Sequence, residues 1–251
     1  MTNDKASENF SLKQYLQEII QDKIKIFNSL VQWTDEDRNK FKILVDELET
    51  PSANFKESGD KLERVVEFII RKTFFLEVYK NIRTSTNEID EVITVSNNGK
   101  QAFQELNLSR ELIQIPADIF IGECKNYSRP LGVTYVGKFY SLMKAANISF
   151  GIIFTTRGLS GSYKNFQDAH GLTTVLKIVE DLRNCNNQFY ILTFTKKDYL
   201  KMIEGVNFFE IVKAKKLEMQ LHADYNLFLS KCEKHELADE IQSILRNVEK
   251  H

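Results

Sequence analysis

At 251 residues, the chain is long enough for one substantial domain with accessory helices, and its 42% hydrophobic and 27% charged content is that of an ordinary globular protein. A net charge of −1 excludes any global electrostatic case for binding nucleic acid, and no apolar run approaches a membrane span. Cys124, Cys185 and Cys232 have neither disulfide nor zinc-ligand spacing, and Met1-Thr2-Asn3-Asp4-Lys5 lacks the apolar core of a signal peptide, so a reducing, cytoplasmic setting is expected.

Charge is unevenly spread: 8 basic against 11 acidic residues in 1–57, 19 against 16 in 58–205, and 7 against 8 in 206–251. The middle section alone is mildly basic, which allows a weak nucleic-acid footprint without demonstrating one.

From Ser11 to Trp33, apolar residues at Leu12, Tyr15, Leu16, Ile19, Ile20, Ile24, Phe27, Leu30 and Val31 predict a long amphipathic helix. Thr34 with Asp37 three residues on predicts an N-cap for a second helix through Phe41, Leu44, Val45 and Leu48, and residues 49–58 suggest a linker. These two helices would either pack on the domain after the linker or mediate dimerisation. A third helix is expected over Gly59 to Lys72, with Leu62, Val65, Val66, Ile69 and Ile70 on its buried stripe. Asp60 is a candidate N-cap for it, with Glu63 reaching back. Two extended segments come next, Phe75 to Ile82 and Glu88 to Val95, joined by a polar turn.

Residues 96–116 are polar and show no clear period. Beyond them, Asp118-Ile119-Phe120-Ile121-Gly122-Glu123-Cys124-Lys125 reads as a strand in which Ile119, Ile121, Glu123 and Lys125 share one face and Phe120, Gly122 and Cys124 the other. A helix through Val136, Phe139, Tyr140, Met143 and Ala146 succeeds it, then the nearly all-apolar run Ile148 to Phe154, expected as a central strand. A helix to about Asn184, a strand over Phe189 to Phe194 and a mainly helical tail complete the chain. Strand, helix, strand, helix, strand in this order predicts an α/β sheet with helical cover. The expected division is an N-terminal helical extension (1–57), a sheet domain (58–205) and a C-terminal helical tail (206–251).

Glu123 and Lys125 emerge together from an apolar strand, where either charge alone would cost several kcal/mol, roughly, unless paired or bound to metal. A half-buried ion pair is the bland explanation. Further acids stand upstream in order, Glu63 in Gly59-Asp60-Lys61-Leu62-Glu63 and Asp90 in Asn87-Glu88-Ile89-Asp90. Asp90 could instead end a salt bridge with Lys80 or Arg83. Glu88 and Glu67 are weaker competitors, His170 reads as an ordinary helix residue, and Cys124, on the face away from Glu123 and Lys125, suits packing better than nucleophilic attack.

This ordered set resembles the PD-(D/E)xK nuclease superfamily, and most closely the Mrr-like restriction endonucleases. In these a glycine-started helix bearing a glutamate precedes an acidic strand and a strand ending in Glu-x-Lys. Asn126-Tyr127, Pro130-Leu131-Gly132-Val133, the helix through Phe139 and the strand ending Ile153-Phe154-Thr155-Thr156-Arg157-Gly158 extend the likeness over about residues 59–205. The resemblance implies a restriction-endonuclease-like fold, a central mixed sheet flanked by helices.

It also implies hydrolysis of DNA phosphodiester bonds with Mg²⁺, for which Mn²⁺ could substitute. Asp90, Glu123 and the Cys124 backbone carbonyl would bind the metal, Glu63 would join them or hold a metal-bound water, and Lys125 would orient or deprotonate the attacking water or stabilise the phosphorane. Arg83, Asn126, Arg129, Lys138, Arg157 and Lys164 are candidate DNA contacts; the family often has a glutamine in the region of Lys138. The implied partners are DNA, a second copy of the chain and a protein of a defence system, with no membrane. Alternatives are a catalytically silent nuclease fold that scaffolds a defence complex, and a nuclease acting on RNA or branched DNA.

Overall fold

The computed structural model describes residues 4–83, 88–162, 167–183 and 188–221; the side chains of 4–11, 13 and 88 are outside the description. In chain order the elements are α1 (Asp4–Val31), α2 (Asp35–Glu47), α3 (Phe55–Arg71), β1 (Leu76–Arg83), β2 (Glu88–Val95), α4 (Asn97–Glu105), a 3-10 turn (Arg110–Ile113), β3 (Ile119–Lys125), α5 (Val133–Ala145), β4 (Phe150–Thr155), α6 (Asp168–Arg183), β5 (Tyr190–Phe194), α7 (Lys196–Ile203) and α8 (Phe208–Leu221). The strands form one mixed sheet in the order β1-β2-β3-β4-β5. The first two pairings are antiparallel, and the last two, each bridged by a crossover helix, are parallel.

Helices cover both faces. On one face, Leu62, Val65, Val66, Ile69 and Ile70 of α3 share a core with Ile93, Phe120, Phe150, Ile152, Phe154 and Phe194 of the sheet. Phe27 and Val31 of α1, Phe41 and Val45 of α2 and Phe208, Phe209, Ile211 and Val212 of α8 enter that same core. On the other face, Val136, Phe139 and Met143 of α5 and Ala169 of α6 bury Ile121, Ile153 and Ile191. α5 and α6 are also joined by the buried Glu180 carboxylate, which accepts from Tyr140 Oη at 2.6 Å and Lys144 Nζ at 2.8 Å.

The Thr34 cap forms as expected, with a reciprocal bond to Asp37. The start of α3 differs from the expectation. Its N-cap is Asn54, whose Oδ1 accepts from Glu57 N, while Glu57 Oε2 accepts from Ala53 N. The helix therefore begins before Gly59, the expected linker shortens to 49–54, and neither Asp60 nor Glu63 is consumed as a cap. Residues 96–116, without a clear period in the sequence, contain α4 and the 3-10 turn. Ser96 caps α4 by accepting from Gly99 N, and Gly99 is required because a Cβ there would stand 2.8 Å from Phe75 O.

Candidate active site

The alternation of β3 holds along its inner half: Phe120 and Cys124 turn to the α3 face, Ile121 to the α5 face. Pairing of Val92 with Ile121 and Glu91 with Gly122, continued by one residue, sets Asp90 level with Glu123 on one face of the antiparallel pair. Asn81, level with Asp90 on the outer strand β1, is left-handed (φ 53°), and the β1–β2 register skips it. An asparagine tolerates that conformation better than most residues.

The side chains converge accordingly. Lys125 Nζ lies 2.7 Å from Glu123 Oε1 and 3.0 Å from Asp90 Oδ2, and the Cys124 backbone N–H donates to the same Asp90 oxygen at 3.1 Å. Asp90 thus pairs with Lys125, and of the two alternatives the sequence offered, Lys80 and Arg83, the bridge to Lys80 is not formed. Lys80 instead holds Glu63 (3.2 Å) and Glu67 (3.3 Å) on α3. The structure brings Asp90, Glu123, Cys124 and Lys125 together, while Glu63 stands beside them in the grip of Lys80.

Burial pulls the Lys125 ammonium down, but the Glu123 and Asp90 carboxylates outweigh it and hold its pKa above the ordinary lysine range. Lys125 is therefore a cation at neutral pH. Burial, then the charge of Asp90, raises Glu123 despite the opposing pull of Lys125. The Cys124 thiol is driven well up by burial and by Glu91, which, with its place on the α3 face, suits packing better than nucleophilic attack.

One residue of the arrangement escaped sequence reasoning. Glu91, 1% exposed, accepts from Cys124 Sγ at 3.0 Å through Oε1, while its Oε2 has no hydrogen-bond partner among the described residues. Burial raises its carboxyl to about 8 against the pull of the Cys124 hydrogen bond, and the charges of Asp90, Glu63 and Glu123 add to the rise. The signal was present: a glutamate on the strand face that continues with Ile93 and Val95. Gly122 makes the room, since a Cβ there would lie 3.0 Å from Glu91 Oε2.

Of the expected DNA contacts, Arg83, Arg129, Lys138 and Arg157 are exposed around this end of the sheet, and Lys164 lies outside the described residues. Asn126 is engaged internally. Its Nδ2 donates to Ser58 O at 2.9 Å and its Oδ1 accepts from Thr156 Oγ1 at 2.9 Å, tying β3 to α3 and to the turn after β4.

A mixed five-stranded sheet between helical layers, with a strand pair delivering Asp90, Glu123 and Lys125 to one point, defines a restriction-endonuclease-like α/β protein. Residues 55–178 match the Mrr_cat restriction endonuclease family, and this segment of the chain belongs to it as an Mrr-like PD-(D/E)xK nuclease domain. The match runs from the first residue of α3 into α6; β5, beyond it, completes the sheet. No curated protein and no solved structure matches the chain.

Proposed function

We propose that the protein is a Mg²⁺-dependent endonuclease that hydrolyses DNA phosphodiester bonds. The carrying observation is the Asp90–Lys125–Glu123 cluster where the start of β2 meets the end of β3, within the segment that matches the endonuclease family.

The donor set suits Mg²⁺. That ion takes hard oxygen ligands, keeps several waters and is commonly held by one or two carboxylates. Among the described residues no three Asp, Glu, His or Cys side chains form a ready-made cluster; the two carboxylates of Asp90 and Glu123 with the Cys124 carbonyl would supply the protein ligands, and Glu63 would reach a bound water. The metal would contribute charge neutralisation at the scissile phosphate and a more acidic bound water. Lys125, already protonated, donates hydrogen bonds to orient the attacking water and to stabilise the extra charge on phosphorus. Arg83, Arg129, Lys138 and Arg157 would position the backbone without reading sequence.

A homodimer suits cleavage of both strands, because two sites related by symmetry match a duplex. The supporting observation is α1, whose apolar stripe enters the core at Phe27 and Val31 while Leu12 (56%), Tyr15 (60%), Leu16 (50%) and Ile20 (58%) stay exposed. We take 58–205 as the nuclease unit, onto which the flanking helices pack. Restriction of foreign DNA in the cytoplasm, alone or with a defence partner, is the role the family match favours. No helix among the described residues is long and apolar enough to cross a membrane.

The test is cleavage of plasmid, linear and single-stranded DNA, and of RNA, with Mg²⁺, Mn²⁺ or EDTA, for the native protein and for Asp90→Ala and Lys125→Ala. Metal-dependent cutting of DNA lost in both variants is expected. Intact DNA in every arm, from homogeneous metal-loaded protein, sinks the proposal.

A further inference from the structure

A cavity of about 310 Å³ lies at the outer edge of β5, between α6 and α8, apart from the acid–lysine cluster. Its size falls at the lower end of the roughly 300–1,000 Å³ typical of small-ligand sites. Leu159, Ile191, Leu192 and Met219 supply the aliphatic part of the lining; five threonines, Thr156, Thr173, Thr174, Thr193 and Thr195, line it together with His170 and Glu218. Three cations, Arg157, Lys197 and Lys215, also line it. Lys215 is held 3.0 Å from the buried Asp198, whereas Arg157 and Lys197 are exposed at the mouth.

Two relationships connect this cavity to the cluster. Thr156, part of its lining, donates to Asn126, the residue after Lys125, and the turn Thr156–Leu159 is stitched to the β3–α5 loop by bonds from Leu131 N to Gly158 O and from Ser160 N to Leu131 O. The turn is therefore a wall shared by site and cavity. Lys125 also pairs with Thr155 across the parallel ladder, and β5 is the next strand, so the cavity begins two strand spacings, or about 10 Å, from the catalytic strand. Thr155 Oγ1, fully buried at the end of β4, has no hydrogen-bond partner among the described residues.

The aliphatic part of the lining suits the face of a planar heterocycle, and exposed cations at the mouth suit a phosphate; Thr156, Thr173, Thr174 and Thr195 already donate to Asn126, His170 O and Asp198, so their hydroxyl lone pairs suit the N–H edge of such a ring. As β5 is an edge strand, half of its backbone N–H and C=O groups are also left over by the ladder to read such an edge. We propose that the cavity is a nucleotide pocket: it receives one base of the bound strand next to the scissile phosphate, with Arg157 and Lys197 on the flanking phosphate. This rests on the nuclease proposal. A free nucleotide has the same chemistry, and the test separates the two sources.

The full-length protein in Ca²⁺ or EDTA is mixed with duplex and single-stranded oligonucleotides carrying 2-aminopurine at successive positions, and separately with each mononucleotide while its thermal transition is followed. With no Phe, Tyr or Trp among the described residues of the cavity lining to stack on it, an extruded 2-aminopurine should brighten at one position. Thr193→Phe, which fills the cavity from an edge strand, should return the emission to that of free DNA. Arg157→Ala with Lys197→Ala should lower the slope of log affinity against log salt by about 1.4–1.8, as expected for two lost phosphate contacts.

A saturable thermal shift with a mononucleotide, lost in Thr193→Phe, with no brightening in DNA, supports the pocket and assigns it to a soluble nucleotide. If the native protein cuts DNA but no position brightens, no mononucleotide shifts the transition and Thr193→Phe binds DNA as native does, the pocket is overturned and the nuclease proposal stands. Absence of any DNA binding, cutting or thermal shift overturns both.

Discussion

Cys124 Sγ donates to Glu91 Oε1 at 3.0 Å, joining the middle of the Glu-x-Lys segment to a carboxyl buried behind it. The same residue's N–H holds Asp90, so the position of residue 124 governs the geometry on both faces of the strand. The thiol itself faces away from the site. Cys124→Ala should therefore cut DNA within a few-fold of the native rate while losing about 1–3 kcal/mol of stability, because Glu91 would then have neither oxygen bonded. Parallel denaturant titrations and cleavage rates check this. A drop in cutting beyond about a hundredfold, some 2.7 kcal/mol of barrier, with native stability would give the thiol a direct role.

Removing Lys125 should make the protein more responsive to metal even as it abolishes catalysis. Its ammonium is shared by two carboxylates, and without it Asp90 and Glu123 repel each other across the site. Lys125→Met should thus melt lower than native in EDTA, and Mg²⁺ or Ca²⁺ should raise its transition by more than the native protein's, through preferential binding to the folded form. Equal shifts in the two proteins would show that the carboxylates are not the metal's ligands.

Glu63 should prove secondary. It is held by Lys80 at 3.2 Å, so recruiting it means loosening that ion pair. Glu63→Gln is expected to raise the Mg²⁺ concentration needed for half-maximal cleavage and to lower the rate at saturating metal far less than Asp90→Asn does. Lys80→Met, which releases Glu63, should move the metal requirement the opposite way. Equal losses in Glu63→Gln and Asp90→Asn at saturating metal would promote Glu63 to a direct ligand.

What the sequence disclosed and what it concealed divide along physical lines. The β3 strand was legible because alternation places Ile121 on one face and Phe120 and Cys124 on the other, with Glu123 and Lys125 left to share the site. The start of α3 misled because Asn54-x-x-Glu57 and Asp60-x-x-Glu63 carry the same capping pattern six residues apart, and local chemistry does not choose between them. Residues 97–99, Asn-Asn-Gly, resemble a turn; their helix depends on the close approach of Phe75 to Gly99, a contact from 24 residues away. Long-range polar partners were out of reach for the same reason: Glu91 with Cys124, Lys80 with Glu63, and Tyr140 and Lys144 with Glu180.

The last of these gives a pH dependence. The Lys144 hydrogen bond, then that of Tyr140, holds the buried Glu180 carboxyl below the usual range. A carboxyl whose folded pKa is depressed adds stability that is present above the unfolded value and disappears as pH falls through the folded one. Glu180→Gln should therefore destabilise the protein at pH 7, and the gap to native should close as the pH is lowered through and below the ordinary carboxylate range. Melting curves from pH 7 down to the acid limit of the fold decide it; a gap independent of pH would mean that packing of α5 on α6, and not the charge, is what Glu180 supplies.

The exposed stripe of α1 makes the proposed dimer testable without touching the core. Leu16 and Ile20, half or more exposed, lie on the stripe that reaches the core at Phe27. A glutamate at either position leaves the folded monomer's contacts intact but puts a charge into any helix–helix seam. Ile20→Glu should melt within a few degrees of native, since substitutions at exposed sites usually change stability by no more than about 0.5 kcal/mol. In sedimentation velocity the native protein should behave as a dimer and Ile20→Glu as a monomer. On supercoiled plasmid the native protein should linearise, whereas the variant should mainly nick, because one site engages one strand at a time. A native monomer that still linearises plasmid at low concentration would remove the dimer from the account and leave each chain to cut both strands in turn.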